Sequence, residues 1–401
     1  MGNRVALYGL ITGTFISALG SRVSMVAVPW LVLTTTGNPA DMGLVIAAQM
    51  VPYLASSVLG TPLADRFGVR ASAITSDVVS TLTTAVIAAT PNVGLPTILA
   101  MSAIAGVVRG AGDRSKHVLL RPAVEAAGFD MKRITAVYSG LTNGCTLVGT
   151  SAGGLLILWF GAQGAIWVDA GSYGVATVIL VLLVRPQLPE RPAAEPYLVA
   201  LRGGARFLLS DRLLLGMLVM TFSANLVNQA HTSIFVPLWV KEVLRSPAAL
   251  GTVLGAFALG AVIGNLVFTA LAPKLPQYVT FTLALAISGA PRLFVLGLSQ
   301  DVALVLAVTF VCGFAVAAVN PVFGAMLYER VPKELQTRVF GLVAAVSFAG
   351  FPVGGMLGGW AVNGWGLTTA ILLGGGVYLI ATVVPLVRHY RILNKSTERV
   401  E

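Results

Sequence analysis

The sequence has little charge. Only 10% of its 401 residues are Asp, Glu, Lys or Arg, whereas 56% are hydrophobic. A soluble domain carries about 25% charged residues, so the composition excludes an ordinary soluble fold. Cysteine is equally scarce: Cys145 and Cys312 both lie in apolar segments and exclude a disulfide framework. No Gly-Lys dipeptide occurs, which excludes a phosphate-binding loop for ATP. We expect neither a metal nor another cofactor.

What the sequence does contain is long apolar stretches. Each is close to the ~20 residues that cross a bilayer as a helix, and each exceeds the ~10 residues of a barrel strand. We therefore predict an all-α integral membrane protein with twelve transmembrane helices in two six-helix bundles. The predicted spans are residues 6–33, 43–63, 71–90, 96–112, 136–159, 165–184, 213–240, 250–272, 279–298, 302–327, 338–361 and 367–387.

The net charge of +10 follows the predicted topology. If the N-terminus is cytoplasmic and the helices alternate, all but four of the 26 Lys and Arg residues fall in cytoplasmic segments. The exceptions are Lys241 and Arg245 outside, with Arg22 and Arg292 in the membrane. This asymmetry is the positive-inside rule. It predicts cytoplasmic termini in a bacterial inner membrane, and it removes any need for a nucleic-acid partner.

The chain also divides into two similar halves. Residues 185–211 are rich in proline and charge, and they include a predicted amphipathic helix, Tyr197–Leu209. We predict an N-terminal bundle (1–184), a cytoplasmic linker (185–211) and a C-terminal bundle (212–401). With an offset of 208, Pro29, Pro39 and Gly43 match Pro237, Pro247 and Gly251. Parallel repeats of six helices are typical of secondary transporters.

Arg22 is the only charged residue in the first apolar stretch. An arginine at the membrane centre costs about 2.5–3.5 kcal/mol on insertion scales, so it is expected to face a protein interior or a water-filled cavity. At ~1.5 Å per residue, Asp77 and Asp169 lie about 15 and 12 Å away in depth, too far for pairing. An unpaired guanidinium favours an anionic group on a substrate. The alternative is an arginine satisfied by carbonyl and hydroxyl groups for packing alone.

The segment GTPLADRFGVR, between the second and third helices, contains Gly60, Asp65, Arg66, Gly68 and Arg70. It resembles the signature loop of the major facilitator superfamily, G-x-x-x-D-R-x-G-x-R/K. The resemblance covers essentially the whole chain. It implies a cytoplasmic gate at this loop, alternating access between the two bundles, and a monomer. It also implies that helices 1, 4, 7 and 10 line the central cavity.

Polar and aromatic residues of the predicted cavity helices and their neighbours are the candidate substrate site. Asn225, Asn228 and His231 lie at helical spacing on the seventh helix. His231 could equally be a satisfied polar residue of the interior. The full candidate set is Arg22, Met25, Trp30, Gln49, Asn143, Asn225, Asn228, His231, Phe235 and Asn320.

Two glycine-rich stretches are expected to pack helices closely. GTSAGG on the fifth helix resembles the antiporter motif of drug exporters in this superfamily, with Thr150 in place of its proline. Packing alone explains these glycines as well as a coupling role does. The set is Gly149, Gly153 and Gly154, with Gly350, Pro352, Gly354 and Gly355 on the eleventh helix. Arg109 is interpreted as an anchor near the cytoplasmic end of the fourth helix.

Together these features predict a transporter and not an enzyme, since no nucleophile–base pair or metal-ligand cluster is visible. The favoured function is proton-coupled export of an amphipathic molecule that carries an anionic or strongly hydrogen-bonding group. Asp77, Asp169 and His231 are the candidate proton carriers, although both aspartates could instead be ion-pair partners. Uptake, lipid translocation and a transport-inactive receptor or scaffold stay open as alternatives.

Overall fold

The computed structural model describes residues 2–59, 68–90, 93–184, 197–332 and 335–397. Within these ranges every regular element is a helix. Three residues of the predicted gate, Gly60, Asp65 and Arg66, lie outside the described residues, and so does the side chain of Asn143. The predictions for these four residues therefore stay predictions.

The described helices follow the predicted order of six, a short amphipathic helix, and six more. Ten helical runs in the described residues are long and apolar enough to cross a membrane. The predicted fold class is confirmed. The helices are α1 (Gly2–Thr36), α2 (Pro39–Leu59), α3 (Val69–Ala89), α4 (Leu95–Ala127), α5 (131–160), α6 (162–183), α7 (Tyr197–Ser210), α8 (Arg212–Leu244), α9 (Pro247–Leu271), α10 (Gln277–Leu298), α11 (Val302–Arg330), α12 (Gln336–Trp365) and α13 (Leu367–Thr397).

Two helices depart from regular α geometry. Residues Met131–Leu183 run on continuously except at Gly161, whose φ of 71° and ψ of 173° separate α5 from α6. This left-handed backbone costs glycine little because it has no Cβ. Helix α8 contains two π-helical turns, His231–Phe235 and Val240–Leu244. Such turns occur frequently at functional sites.

The predicted end of the fourth helix is wrong. The hydropathy pattern placed it at residue 112, whereas α4 continues to Ala127 and ends at Gly128, in the left-handed conformation with φ 73°. The charged residues beyond 112 reduced the hydropathy without breaking the helix. Charged residues lower the hydropathy but do not end a helix. The helix ends at Gly128, whose left-handed conformation provides the C-terminal cap.

The chain divides into two compact units, each with its own core. The N-terminal unit comprises Met1–Pro192 with Val240–Gly255, and the C-terminal unit comprises Ala193–Trp239 with Ala256–Glu401. In the N-terminal unit, α1 packs closely on α5, where a Cβ added to Gly149 would lie 2.6 Å from Cβ of Arg22. In the C-terminal unit, α8 packs on α12, where a Cβ at Gly354 would lie 1.9 Å from the carbonyl oxygen of Leu226.

Asp211 begins α8 in the C-terminal unit. Its Oδ1 accepts hydrogen bonds from the backbone N–H groups of Leu213 and Leu214, at 3.0 and 3.1 Å. Its Oδ2 accepts a hydrogen bond from Nε of Arg330 at 2.8 Å. Partial burial works against the charged form, but these hydrogen bonds outweigh it and hold the pKa of Asp211 below its ordinary value.

The contact between α8 and α12 predicts a severe effect of one methyl group. Gly354→Ala should destabilise the protein by about 1–3 kcal/mol, the usual cost of overpacking, because the new Cβ would meet backbone. Gly376→Ala on α13 is the control, since a Cβ there meets nothing within 4 Å. The measurement is the apparent unfolding temperature of each purified variant in detergent. Equal behaviour of the two variants would contradict the close approach of α8 to α12.

Candidate functional site

Among the described residues of the N-terminal unit, four Asp, Lys and Arg side chains lie almost completely buried. Asp77 of α3 is 1% exposed, Arg109 and Lys116 of α4 are 7% and 3% exposed, and Asp169 of α6 is 0% exposed. We refer to these four residues, together with Tyr173 of α6, as the N-terminal charge cluster. Charged groups are rarely buried unless they are paired, and each of these four has an opposite charge beside it.

Arg109 is paired with Asp169. Its Nη2 lies 3.2 Å from Oδ2 of Asp169 and donates to Oγ1 of Thr84 at 2.8 Å. Its Nε donates to Oγ of Ser80 at 3.4 Å. One guanidinium therefore connects α3, α4 and α6 through three acceptors.

Lys116 is paired with Asp77. Its Nζ lies 2.7 Å from Oδ1 of Asp77 and 3.3 Å from Oγ of Ser17 on α1. Lys116 comes seven residues after Arg109, two turns along α4, so both cations project from one face of the same helix. The cluster thus carries two positive and two negative groups, and its formal charge is neutral.

Tyr173 lies between the two ion pairs. Its ring centroid is 4.5 Å from Cζ of Arg109 and 5.8 Å from Nζ of Lys116, within the range of cation–π attraction. Its hydroxyl is 2.8 Å from Oγ of Ser21 on α1. Through Tyr173 and Ser17, the cluster joins α1 to the other three helices.

A small cavity of about 20 Å³ adjoins the cluster and has room for one water molecule. Two buried oxygens near it, Oγ of Ser24 and Oδ1 of Asp169, have no hydrogen bond of normal geometry among the described residues. Oδ2 of Asp77 is likewise buried without a hydrogen bond there. Each carboxylate therefore has one oxygen in an ion pair and one oxygen that could take a proton. The cavity is lined by Ser24, Val28, Gln49, Thr83, Thr84, Ile87, Ser102, Ala105, Arg109 and Asp169.

The structure corrects two interpretations. Arg109 is not an anchor at the cytoplasmic end of its helix, because α4 continues for eighteen residues beyond it, to Ala127. Nor is Asp169 about 12 Å from Arg22 in depth. A Cβ at Gly20, two residues from Arg22, would lie 2.9 Å from Oδ1 of Asp169. Asp169 pairs with Arg109 because Arg22 leaves α1 on another side, against Gly149 of α5.

Arg22 itself is half-buried, and no carboxylate contacts it among the described residues. Its Nη1 lies 3.7 Å from the sulfur of Met25. Trp30, further along α1, is buried at 8% exposure. Gln49 lines the small cavity of the N-terminal unit, and Arg22 is not among the residues that line this cavity. Whether these residues contact a substrate stays a prediction.

Of the candidates of the C-terminal unit, Asn228 contacts a different arginine, Arg292. Asn225 donates from Nδ2 to the carbonyl of Ser347 at 2.9 Å, and Asn228 accepts a hydrogen bond from Arg292 of α10. His231 and Phe235 are 3% and 2% exposed. Asn320, by contrast, lies on the surface of its unit.

Of the predicted gate, only its end is described. Gly68 has a φ of 85° and precedes α3. Arg70, in the first turn of α3, donates from Nη2 to the carbonyl of Val181 at 2.8 Å, near the end of α6. Within the packing motifs, Gly153 and Gly350 also face backbone of α1 and α8, respectively. Gly154 and Gly355 are buried, and Pro352 lies inside α12.

Sequence reasoning missed Lys116, Tyr173 and the pairing of Arg109. A signal was present: Arg109 and Lys116 are seven residues apart, as buried residues of one helix face can be. The sequence places Arg292 in a membrane-spanning stretch but does not assign it to a site. Its partner could not be inferred, because contacts between helices depend on packing.

Comparison with known proteins identifies the family. The sequence profile described as "Major Facilitator Superfamily" matches residues 10–245 and 225–400. This chain belongs to the Major Facilitator Superfamily. As a member of this superfamily, the protein is a multi-pass membrane transporter and not an enzyme.

Its relatives include multidrug efflux pumps. The chain is 26% identical over 386 residues to the multidrug efflux pump Tap of Mycobacterium tuberculosis (strain ATCC 25618 / H37Rv), with 92% of this chain and 90% of Tap covered. It is 26% identical over 391 residues to the multi-drug resistance efflux pump PmrA homolog of Lactococcus lactis subsp. lactis (strain IL1403), with 91% and 90% covered.

Solved structures agree on the fold alone. The crystal structure of the nucleoside transporter NupG superposes with a TM-score of 0.75 at 13% identity, over 96% of this chain and 98% of that one. A POT family transporter in complex with 5-aminolevulinic acid superposes with a TM-score of 0.72 at 14% identity, over 95% of both chains.

The buried ion pair of the N-terminal charge cluster predicts a non-additive response to mutation. Arg109→Met leaves Asp169 charged and unpaired, and should destabilise the protein by about 3–5 kcal/mol. Arg109→Met combined with Asp169→Leu should recover most of this loss, because no buried charge is left over. The measurement is detergent unfolding of both single variants and the double variant.

Arg121→Met is the matched control on the same helix. Arg121 pairs with Glu125 at 2.8 Å, but the two side chains are 79% and 61% exposed, and such pairs contribute about 0–1 kcal/mol. Additive losses from Arg109 and Asp169 would contradict a coupled pair.

Proposed function

We propose that this transporter exports amphipathic small molecules from the cytoplasm in exchange for protons, by alternating access between an N-terminal bundle (1–184) and a C-terminal bundle (212–401). The relatives named as multidrug efflux pumps support the direction. The positive-inside asymmetry supports cytoplasmic termini, in a bacterial inner membrane, and the superfamily supports a monomer.

The observation that carries the proton coupling is the pair of membrane-embedded carboxylates, Asp77 and Asp169. Burial disfavours the charged form of a carboxylate, whereas an adjacent cation favours it. A movement that separates Arg109 from Asp169, or Lys116 from Asp77, therefore favours proton uptake by the aspartate that is left alone. Re-formation of the ion pair releases that proton.

The cluster can couple this proton exchange to movement because it spans four helices. Arg109 and Lys116 belong to α4, Asp77 to α3 and Asp169 to α6, while Tyr173 hydrogen-bonds to α1. Because α4 contributes the cation of both ion pairs, a bound molecule that shifts α4 to the position where both pairs form releases the protons that the aspartates took up while they were separated from their cations. His231, the third candidate carrier, has no carboxylate partner among the described residues and ranks below the two aspartates.

Substrate recognition in the N-terminal bundle is assigned to Arg22 and its neighbours. The Arg22 guanidinium is half-buried, no carboxylate contacts it among the described residues, and Met25 beside it is proposed to offer apolar surface together with Trp30 further along α1. This combination suits an amphipathic molecule with an anionic group. The gate residues Gly60, Asp65, Arg66, Gly68 and Arg70 are proposed to control the cytoplasmic side.

Inside-out membrane vesicles test export and coupling together. With an imposed proton gradient read by a pH-sensitive dye, wild type should dissipate the gradient when anionic amphipathic compounds are added. Asp169→Asn should abolish this response, because the amide cannot exchange a proton. Arg22→Ala should reduce the response to anionic compounds by about tenfold, as expected for the loss of a charge-assisted bond, and reduce that to neutral compounds less.

The control variant is Asp301→Asn, at the N-terminus of α11, where asparagine preserves the helix cap. Transport of compound by wild type without any proton flux would reject the coupling. Accumulation in whole cells, in place of exclusion, would reject export in favour of uptake. Binding without movement of any compound would favour a receptor or scaffold.

A further inference from the structure

The C-terminal unit buries an arginine that has no carboxylate partner in the part of the chain that the structure describes. Arg292 of α10 is 4% exposed, and its Nη2 donates to Oδ1 of Asn228. Its Cζ lies 4.5 Å from the ring centroid of Phe257, and its Nε makes no hydrogen bond within the described residues. A buried charge is costly unless it is paired. In this unit the guanidinium contacts the amide oxygen of Asn228 and the ring of Phe257.

The sequence offers no acidic partner at this depth in the C-terminal half. Between Arg212 and Thr397, the acidic residues are Glu242, Asp301, Glu329 and Glu334. Of these, Glu334 lies outside the described residues, and the other three lie at helix ends. Arg292 lies six residues before the end of α10 at Leu298, about 9 Å along the axis at ~1.5 Å per residue. Among the described residues of its bundle, no carboxylate therefore compensates the positive charge of Arg292.

An internal repeat shows how the carboxylate was replaced. With an offset of 205, AIWVDAGSYGVATV (Ala165–Val178) matches AILLGGGVYLIATV (Ala370–Val383). Tyr173 then matches Tyr378. Both tyrosines are buried, and their hydroxyls lie 2.8 Å from Ser21 and 3.2 Å from Ser288. Each interacts electrostatically with the buried arginine of its unit. The position of Asp169, however, is taken by Gly374.

The two repeats also differ at a second position, on α1 and α8. With the offset of 208 that relates α1 to α8, Gly20 matches Asn228. Gly20 leaves space for Asp169, since a Cβ there would lie 2.9 Å from Oδ1 of that aspartate. In the C-terminal unit, the glycine is on α13 and the longer side chain is on α8. A neutral amide oxygen thus accepts from Arg292, which belongs to α10 and keeps its positive charge, whereas a carboxylate accepts from Arg109 of α4.

A second buried nitrogen lies near this arginine. His231 is 3% exposed, its Nδ1 has no hydrogen bond within the described residues, and it interacts electrostatically with Arg292. His231 and Asn228 are three residues apart on α8 and so share a helix face. The π-helical turn His231–Phe235 begins at this residue. We call Arg292, Asn228 and His231 the C-terminal arginine site.

We propose that the C-terminal arginine site binds a carboxylate of the transported molecule, which rests on the export function proposed above. The planar guanidinium matches a carboxylate with two parallel N–H donors, and the free Nε of Arg292 supplies a donor for it. Phe257 supplies an apolar surface for the rest of the molecule. The substrate class that follows is an amphipathic organic acid.

The test rebuilds the N-terminal arrangement in the C-terminal unit. The double variant Asn228→Gly with Gly374→Asp puts an aspartate at the repeat position of Asp169, where α13 faces Val227 and Phe235 of α8, and removes the side chain that accepts from Arg292. Purified protein in detergent is titrated with dansyl-glycine, which carries a carboxylate, and with its neutral amide, dansyl-glycinamide. Wild type should prefer the carboxylate by about tenfold or more, as expected for a charge-assisted bond, and the double variant should show a preference about tenfold weaker, with any remainder due to Arg22.

Arg292→Lys provides a second measurement if the double variant fails to fold. Lysine keeps the charge but loses the planar donors, so it should show an intermediate preference. No preference for dansyl-glycine in wild type, or an unchanged preference in both variants, would overturn the proposal. Because binding is measured without a gradient, a protein that binds the acid but does not pump it would reject export alone.

Discussion

A charge buried at membrane depth has to be neutralised where it lies, and the Arg109–Asp169 pair is the place where this constraint organises the N-terminal unit. The pair lies 3.2 Å apart and is almost completely buried. Removing one member would leave the other charge at a cost of about 3–5 kcal/mol. Several neighbouring groups contact this pair. Arg109 donates to the hydroxyls of Ser80 and Thr84 and lies over the ring of Tyr173, and α1 approaches Asp169 closely at Gly20. Lys116 and Asp77 repeat the arrangement two turns away.

The two halves of the chain solve this constraint differently on the same scaffold. Both keep a buried tyrosine, at Tyr173 and Tyr378, hydrogen-bonded to a serine and next to a guanidinium. The N-terminal half adds carboxylates and reaches neutrality. The C-terminal half has Gly374 in place of the aspartate, and among its described residues Arg292 donates to the amide oxygen of Asn228 and to no carboxylate. This difference is the basis on which we propose proton exchange in the N-terminal unit and anion binding in the C-terminal unit.

The sequence predicted the fold well because lipid leaves the backbone few choices. Twelve long apolar stretches with Pro29 and Pro237 in register could only be helices in two repeats. It predicted the site less well for two physical reasons. Hydropathy ended the fourth helix at the first charges, which turned Arg109 into a surface anchor although α4 continues to Ala127. Depth counted along single helices also separated Asp169 from Arg22, whereas the packing of α6 on α1 brings that aspartate to Gly20. The spacing of residues along a single helix does not determine which residues of other helices they contact.

Proton release on ligand binding is the most direct measurement of the coupling that the N-terminal charge cluster is proposed to perform. Purified protein in a weakly buffered solution is mixed with an amphipathic compound that the vesicle assay identifies as transported, and a pH-sensitive dye follows the solution. The account predicts that wild type releases protons on binding and that a variant carrying Asp77→Asn and Asp169→Asn binds without releasing any. Undiminished proton release by that variant would contradict the account, because the protons would then come from groups outside the cluster.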